Sequence, residues 1–312
     1  MKTENTIVIG GANVDICGQS FAPLIPGDSN PGFSRISLGG VGRNIAHNLS
    51  LLGVHVSLIT ALGQDAHAKL VEDSCRSLSI DLTHSLRVRE GRTSTYIFLN
   101  GPDADMALAV SDMGICDELS PSFLEEKSGF LKEADVIIAD ANIPETSLIW
   151  LAEHCSRPLF VDPVSVTKAE KLRRCLGHIH TLKPNLLEAQ SLSGIEIHKE
   201  EDLRKAAGVL LDTGLKRVFI SMGRHGVFYA DRHESGIVPV IRTQVRNATG
   251  AGDAFMSGLV WSYLHGMGLR DSAIYATAAS SIAIEGAETI NPDMSAALLK
   301  NKAKQLEEGE NL

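Results

Sequence analysis

Five short apolar runs in this chain end the same way, in Asn, Asp or Gly, and that repetition restricts the fold more than any single motif. Thr6-Ile7-Val8-Ile9 leads into Gly10-Gly11-Ala12-Asn13-Val14-Asp15, and Asp135 to Asp140 leads into Ala141-Asn142. Pro158-Leu159-Phe160-Val161 ends in Asp162-Pro163, and His180-Thr181-Leu182-Lys183 in Pro184-Asn185. Arg217 to Ser221 ends in Met222-Gly223-Arg224-His225-Gly226. Continuous apolar runs belong to strands covered on both faces, as in a parallel sheet. Helical periods separate these runs, and open α/β sheets bind ligands outside the carboxyl ends of their strands. The expected fold is therefore α/β with a mainly parallel sheet and a site where the polar strand ends converge.

Two glycine-rich turns lead into helices. Leu38-Gly39-Gly40-Val41-Gly42-Arg43-Asn44 opens an amphipathic segment with Ile45, Leu49 and Leu52 as its stripe and Gly53 at its end. A tight turn explains one glycine readily and three less well, so bare backbone is expected against a ligand, with Asn44 in reach of it. Asn247-Ala248-Thr249-Gly250-Ala251-Gly252-Asp253-Ala254-Phe255 opens a second helix, expected over about 252–266 and followed by another over 270–284. Free N–H groups at such a helix start favour an anion. Asp253 is then either an N-cap stabilising the helix by about 1 kcal/mol, or a general base beside a bound phosphoryl group. The nonapeptide alone leaves both open.

The pattern breaks in two places. Residues 18–37, rich in Gly, Pro, Ser and Asn, read as a loop-laden excursion. Ser94 to Leu99 and Met106 to Val110, joined by Asn100-Gly101-Pro102-Asp103, read as a β-hairpin. With residues 13–37 the stretch 87–113 is expected to form a small β lid inserted in one 1–312 domain. Asn13 and Asp15 fall on one side of an extended segment, which suits vicinal hydroxyls, although the pair taken alone is read more simply as turn-forming.

Composition narrows the function. The chain carries 38 acidic and 29 basic residues, net −9, which argues against nucleic acid or a membrane surface as partner. No run approaches ~18 apolar residues and no secretory leader is evident. The five cysteines are scattered, so a cytoplasmic, reduced protein is expected. A dinucleotide-dependent oxidoreductase is disfavoured because Gly10-Gly11 lacks the spaced third glycine. A ligand sensor without catalysis is disfavoured if Asp253 is the base and not the cap, since such a protein does not need one.

Gly39-Gly40-Val41-Gly42-Arg43-Asn44, Asn185-Leu186-Leu187-Glu188 and Asn247 to Asp253, in this order, resemble the signatures of the ribokinase-like (PfkB) carbohydrate kinases over nearly the whole chain. Asp28 to Gly32, Asp162-Pro163-Val164-Ser165 and Thr181 to Asn185 further resemble family members acting on the nucleoside pseudouridine. The resemblance implies a three-layer α/β/α sandwich with a β lid that often makes a homodimer contact. It implies ATP and Mg2+ as cofactors and phosphorylation of a ribose 5′-hydroxyl, with ribose, adenosine or inosine as alternative acceptors. Asn13, Asp15, Gly40, Asn44 and Asn142 match substrate-binding positions. Asp253 matches the base, and Gly250, Ala251 and Gly252 the anion hole. Asn185, Ser221, Gly223 and Gly226 match the nucleotide side, and Glu188 the magnesium region. A helix N-terminus is expected to enhance the acidity of Asp253, leaving it a weak base at rest. Ser29, Thr95 and Asp112 are expected to face the nucleobase. Asn247 stands where many members carry an Asp that helps hold a monovalent cation, so weak or absent potassium activation is expected.

Overall fold

The computed structural model describes residues 5–309. Among them eight strands form one sheet, in the order Ser235–Val238, Val227–Ala230, Arg217–Ser221, Thr181–Leu182, Leu159–Asp162, Val136–Asp140, Thr6–Ile9 and Val56–Ile59. The last six pair parallel. Alternate side chains enter opposite cores, which is why the runs are apolar throughout. Val8, Leu58, Ile138 and Phe219 meet Ile45, Phe255, Ile274 and Leu299 on one face. Ile7, Ile9, Ile137, Val161 and Val218 meet Leu148, Ala189 and Leu210 on the other. Helices Val41–Leu51, Ala66–Ser77, Ala251–Leu264, Leu269–Glu285 and Ala296–Glu307 cover the first face. Helices Glu145–His154, Leu186–Ser193 and Glu200–Asp212 cover the second, making three layers.

The antiparallel hairpin of Val227–Ala230 and Ser235–Val238 closes one edge and is absent from the sequence expectation. Its turn is held by Asp231, whose carboxylate accepts from the amides of His233 at 2.7 Å and Glu234 at 2.9 Å. No helix among the described residues is long and apolar enough to cross a membrane.

A separate sheet has the order Gly32–Gly39, Asn13–Ser20, Thr95–Asn100, Met106–Asp112. Residues 18–37 are therefore not the loop-laden excursion expected. They contain most of a hairpin running in register from Asn13↔Gly39 to Ser20↔Gly32, and only 21–31 is loop. Gly27, Pro26 and Pro31 lie in that loop, and its composition masked the flanking strands. Gly32–Gly39 is also an edge strand exposed along most of its length, so it lacks the apolar pattern of a buried strand.

Register assigns side chains to the two faces of this sheet. Asp15 aligns with Ser37 and Tyr96, and Tyr96 with Ser111. Val14 aligns with Leu38 and Thr95, and Thr95 with Asp112, on the opposite face. Thr95 and Asp112 thus turn away from the face carrying Asn13 and Asp15, contrary to expectation. Thr95 Oγ1 lies 3.2 Å from His67 Nδ1, and Asp112 pairs with Arg92 at 3.2 Å. Ser29 sits exposed in the loop, its amide donating to Asp28 Oδ1.

Candidate active site

The carboxyl ends of the parallel strands carry Asp140 and Asp162, which are direct partners in the register. Asp140 is fully buried and organises the turn around it. Its Oδ2 accepts from the Gly11 amide at 2.9 Å and the Gly42 amide at 2.7 Å, while Oδ1 accepts from the Asn142 amide at 2.8 Å. Burial pushes its carboxyl upward, the Gly11 and Asn142 amides hold it back, and the neighbouring Asp162 adds to the rise. One side chain thereby ties the strand end at Gly11, the glycine turn at Gly42 and the loop at Asn142. Gly40, at φ 97°, is needed there because a Cβ would lie 2.4 Å from the Gly11 carbonyl oxygen.

Asn13 Nδ2 donates to Asp15 Oδ1 at 2.5 Å, so the two form one polar unit at the base of the second sheet. Burial raises the Asp15 carboxyl, opposed by that bond and by Arg43. Lys168 Nζ donates to Asn142 Oδ1 at 2.6 Å, leaving the Asn142 amide nitrogen beside Gly11. Asn44 crosses to the other glycine turn, its Nδ2 donating to Asp253 Oδ2 at 2.9 Å. The structure thus gathers Asn13, Asp15, Gly40, Asn44, Asn142 and Asp253 around one centre.

Asp253 is not an N-cap. Helix Ala251–Leu264 begins after Gly250, which caps it in the left-handed conformation, and Asp253 is its third residue. A Cβ on Gly250 would sit 2.2 Å from the Thr289 carbonyl oxygen. The Ala251 amide makes a long 3.4 Å contact with the Ala248 carbonyl. The Gly252 and Asp253 amides, in the first turn, have no intrahelical acceptor. Nor is the carboxyl of Asp253 made more acidic by this position. Burial, then the nearby Asp162, raise it to about 7 against the opposing pull of Asn44 and Lys183, with Asp140 adding to the rise. Desolvation outweighs the helix terminus, so the resting group is a stronger base than expected.

Lys183 is the residue whose importance sequence reasoning missed. It is buried, and its Nζ lies 3.1 Å from Asp162 Oδ2. Burial works against its charge, but Asp162, with Asp253 and Glu188 behind it, holds the ammonium above its ordinary value. A Cβ on Gly252 would stand 3.0 Å from that nitrogen, which places the cation beside the helix start.

Lys183 also opens onto a cleft of about 490 Å³ shared with Ser221, Gly223, Gly226, Ala251 and Gly252. Its walls are mostly apolar, among them Val227, Ile241, Phe255 and Ile284, while helix Leu269–Glu285 presents Thr277, Ser280 and Ser281. Asn185 joins the cleft's edge by bridging Ser221. It caps helix Leu186–Ser193 reciprocally with Glu188: Asn185 Oδ1 accepts from the Glu188 amide at 2.9 Å, and Glu188 Oε2 from the Asn185 amide at 2.8 Å. Burial raises the Glu188 carboxyl, opposed by the Asn185 amide and Lys183. One Glu188 oxygen stays outside the capping box. No group of three His, Cys, Asp or Glu able to hold a metal occurs among the described residues. A single buried carboxylate beside a cleft suits magnesium, which keeps most of its water and is shared with phosphates.

A profile of pfkB family carbohydrate kinases matches residues 7–296. The chain is 41% identical to the pseudouridine kinase of Escherichia coli (strain K12) over 298 residues, covering 95% of each protein. A solved carbohydrate kinase from Agrobacterium tumefaciens superposes with TM-score 0.86 at 29% identity, over 96% of this chain and 97% of that one. Arabidopsis thaliana ribokinase, solved with ribose and ATP, shares the fold at TM-score 0.87 and 20% identity, over 97% of this chain and 99% of its own.

Proposed function

The chain belongs to the pfkB family of carbohydrate kinases, and from that premise we propose that it transfers the γ-phosphoryl group of ATP to the ribose 5′-hydroxyl of pseudouridine. One observation carries the chemistry. Asp253 is a buried carboxylate with its acidity reduced to about 7, hydrogen-bonded to Asn44 and set beside the Gly252 amide and Lys183. A base and an anion site meet there, as transfer of a phosphoryl group to a hydroxyl requires.

Asn13 and Asp15 hold the vicinal hydroxyls of the ribose, with Gly40, Asn44 and Asn142 completing the pocket. ATP occupies the apolar cleft, its base between Val227 and helix Leu269–Glu285 and its phosphates directed at Gly250, Ala251 and Gly252. Ser221, Gly223 and Gly226 line its path, and Asn185 borders the phosphates. Glu188 would hold Mg2+ through water, and bound magnesium neutralises phosphate charge. In the transfer itself the 5′-oxygen–phosphorus bond forms as the bond from the γ-phosphorus to the β,γ-bridging oxygen breaks, and ADP leaves. Asp253 accepts the hydroxyl proton as the new bond forms. The transition state of such reactions is loose, so positioning and charge stabilisation outweigh base strength. Lys183 and the free amides at the helix start supply that stabilisation.

The second sheet serves as a lid that excludes water. Its outward face bears Ile36, Ile97, Leu99, Leu108 and Val110, all exposed, which supports a homodimer joined through the lid. The five free cysteines suit a reducing cytoplasm.

The substrate rests on the 41% identical relative, because Asn13 and Asp15 touch only the sugar, which many acceptors share. A coupled ADP-release assay with pseudouridine, uridine, adenosine and ribose, run beside Asp253→Asn, tests both parts. Preference for pseudouridine, abolished by the substitution, is the expected result. Preference for ribose or adenosine would retain the mechanism and overturn the substrate; turnover surviving in Asp253→Asn would overturn the base.

A further inference from the structure

Nothing in this phosphoryl transfer uses Arg43, yet its side chain is buried, only 4% of the residue being exposed, and it bonds to working parts of the site. One terminal nitrogen donates to the Leu38 carbonyl at 3.1 Å, near the end of lid strand Gly32–Gly39, and to Asn44 Oδ1 at 3.3 Å. The other donates to Ser74 Oγ at 3.0 Å on helix Ala66–Ser77 and lies 3.4 Å from His47 Nδ1. Arg43 Nε is buried without a partner. A guanidinium is a costly way merely to brace two helices, since an apolar side chain of similar volume often does so at least as well.

The contact with Asn44 supplies a reason. A carboxamide has nearly the same shape when turned by half a revolution, so packing alone does not decide which end faces Asp253. With its oxygen held by Arg43, Asn44 must present its NH2 to the Asp253 carboxylate, as it does at 2.9 Å. Reversed, it would set a carbonyl oxygen against a carboxylate.

We propose that Arg43 is a positioning residue that locks the Asn44 amide in the orientation supporting ionised Asp253, and that the same guanidinium nitrogen joins this lock to the seating of the lid strand at Leu38. The inference rests on the reading of Asp253 as the base. Arg43 is the cation of its own cluster. Around it stand Asp15 from the lid, Cys75 from helix Ala66–Ser77, and His47, which burial and Arg43 push down to about 4 and so keep neutral. Asp253 in turn faces Asp162, Asp140 and Lys183 from the strand ends, and Asn44.

The test is the pH dependence of turnover in the wild type, Arg43→Met, Asn44→Ala and the double variant, with thermal melts to confirm folding. Arg43→Met is expected to lower kcat about tenfold or more while leaving the KM for ATP within about twofold. Its acid limb should move to higher pH by about half a pH unit or more, since the amide is free to turn. In the Asn44→Ala background the same substitution should move the limb no further, because Arg43 acts through Asn44. Arg43→Lys keeps the charge but not the fork, and must show the displaced limb even where Arg43→Met does not fold. An unmoved limb in the folded Arg43 variants, or fully additive effects of Arg43 and Asn44, overturns the proposal. If Asp253→Asn abolishes turnover while the Arg43 variants keep the wild-type limb, only the positioning role falls. If Asp253→Asn turns over normally, the base assignment falls and the lock with it.

Discussion

At the scale of single residues, Asp253 combines two opposed demands. Its carboxyl is raised to about 7 chiefly by burial, so ionised Asp253 costs the folded state free energy that the unfolded chain does not bear. The sign follows. From the ordinary carboxylate range up to about 7 the folded state binds more protons than the unfolded one, so this group's contribution to stability falls as pH rises through that window. Asp253→Asn removes the penalty. The variant should be more stable than the wild type at pH 8, by on the order of 2 kcal/mol, and the difference should shrink toward pH 4. Its turnover should fall by about 10²–10⁴-fold. Wild-type kcat/KM should climb through a limb near 7 as Asp253 ionises. Urea titrations and rate profiles at matched pH values check both halves; a variant less stable than wild type at pH 8 would count against the buried, ionised carboxylate. A second expectation concerns Asn247. Its Oδ1 accepts from the Thr249 amide at 2.9 Å and its Nδ2 donates to the Ala287 carbonyl at 3.4 Å, closing the turn with a neutral amide. Turnover should therefore be comparable in sodium, potassium and a bulky organic cation. A many-fold potassium requirement would refute this.

Among the elements, helices Ala251–Leu264 and Leu269–Glu285 decide how the helix start is aimed. They pack so closely that a Cβ on Gly258 would meet the Cα of Ala276 at 2.6 Å, backbone that cannot step aside as a side chain would. Gly258→Val should destabilise the protein by about 1–3 kcal/mol. It should also reduce kcat, because Gly250 to Asp253 would move with the displaced helix. Thermal melting read together with kcat tests this. A variant that melts like wild type would mean the two helices slide apart without cost. Element by element, sequence patterns served best where one period dominated, as in helix Val41–Leu51 with its buried Ile45 and Leu49. They served worst in the lid. There Gly32–Gly39 is exposed along an edge and its strand character comes from pairing with Asn13–Ser20. Val227–Ala230, which is buried, and Ser235–Val238 likewise take their place at the end of the large sheet from long-range pairing, the first with Arg217–Ser221 and the second with the first.

For the molecule as a whole, the lid raises the question of assembly. Ile97, Leu99, Leu108 and Val110 form an exposed apolar face on strands paired to the sheet that bears Asp15. If a second copy covers it, Ile97→Glu with Leu108→Glu should convert a dimer to a monomer in sedimentation and raise the KM for the nucleoside, while a monomeric wild type would remove the dimer proposal. The amino-acid sequence by itself determined the layered α/β plan and the polar residues gathered at the strand ends, because continuous apolar runs and glycine turns before helices are local patterns. Gly250, Gly252, Asp253, Asn44 and the Asn185–Glu188 pair are all legible in that way. Tertiary structure alone decided what those groups are worth. Asp140 joins Gly11, Gly42 and Asn142 across separations of up to 129 residues, and Lys183 is held in place by a neighbouring strand's Asp162. Burial turned Asp253 from an expected weak base into one poised near neutrality. Desolvation and long-range pairing depend on what the folded chain brings alongside a residue, and no local pattern carries that information.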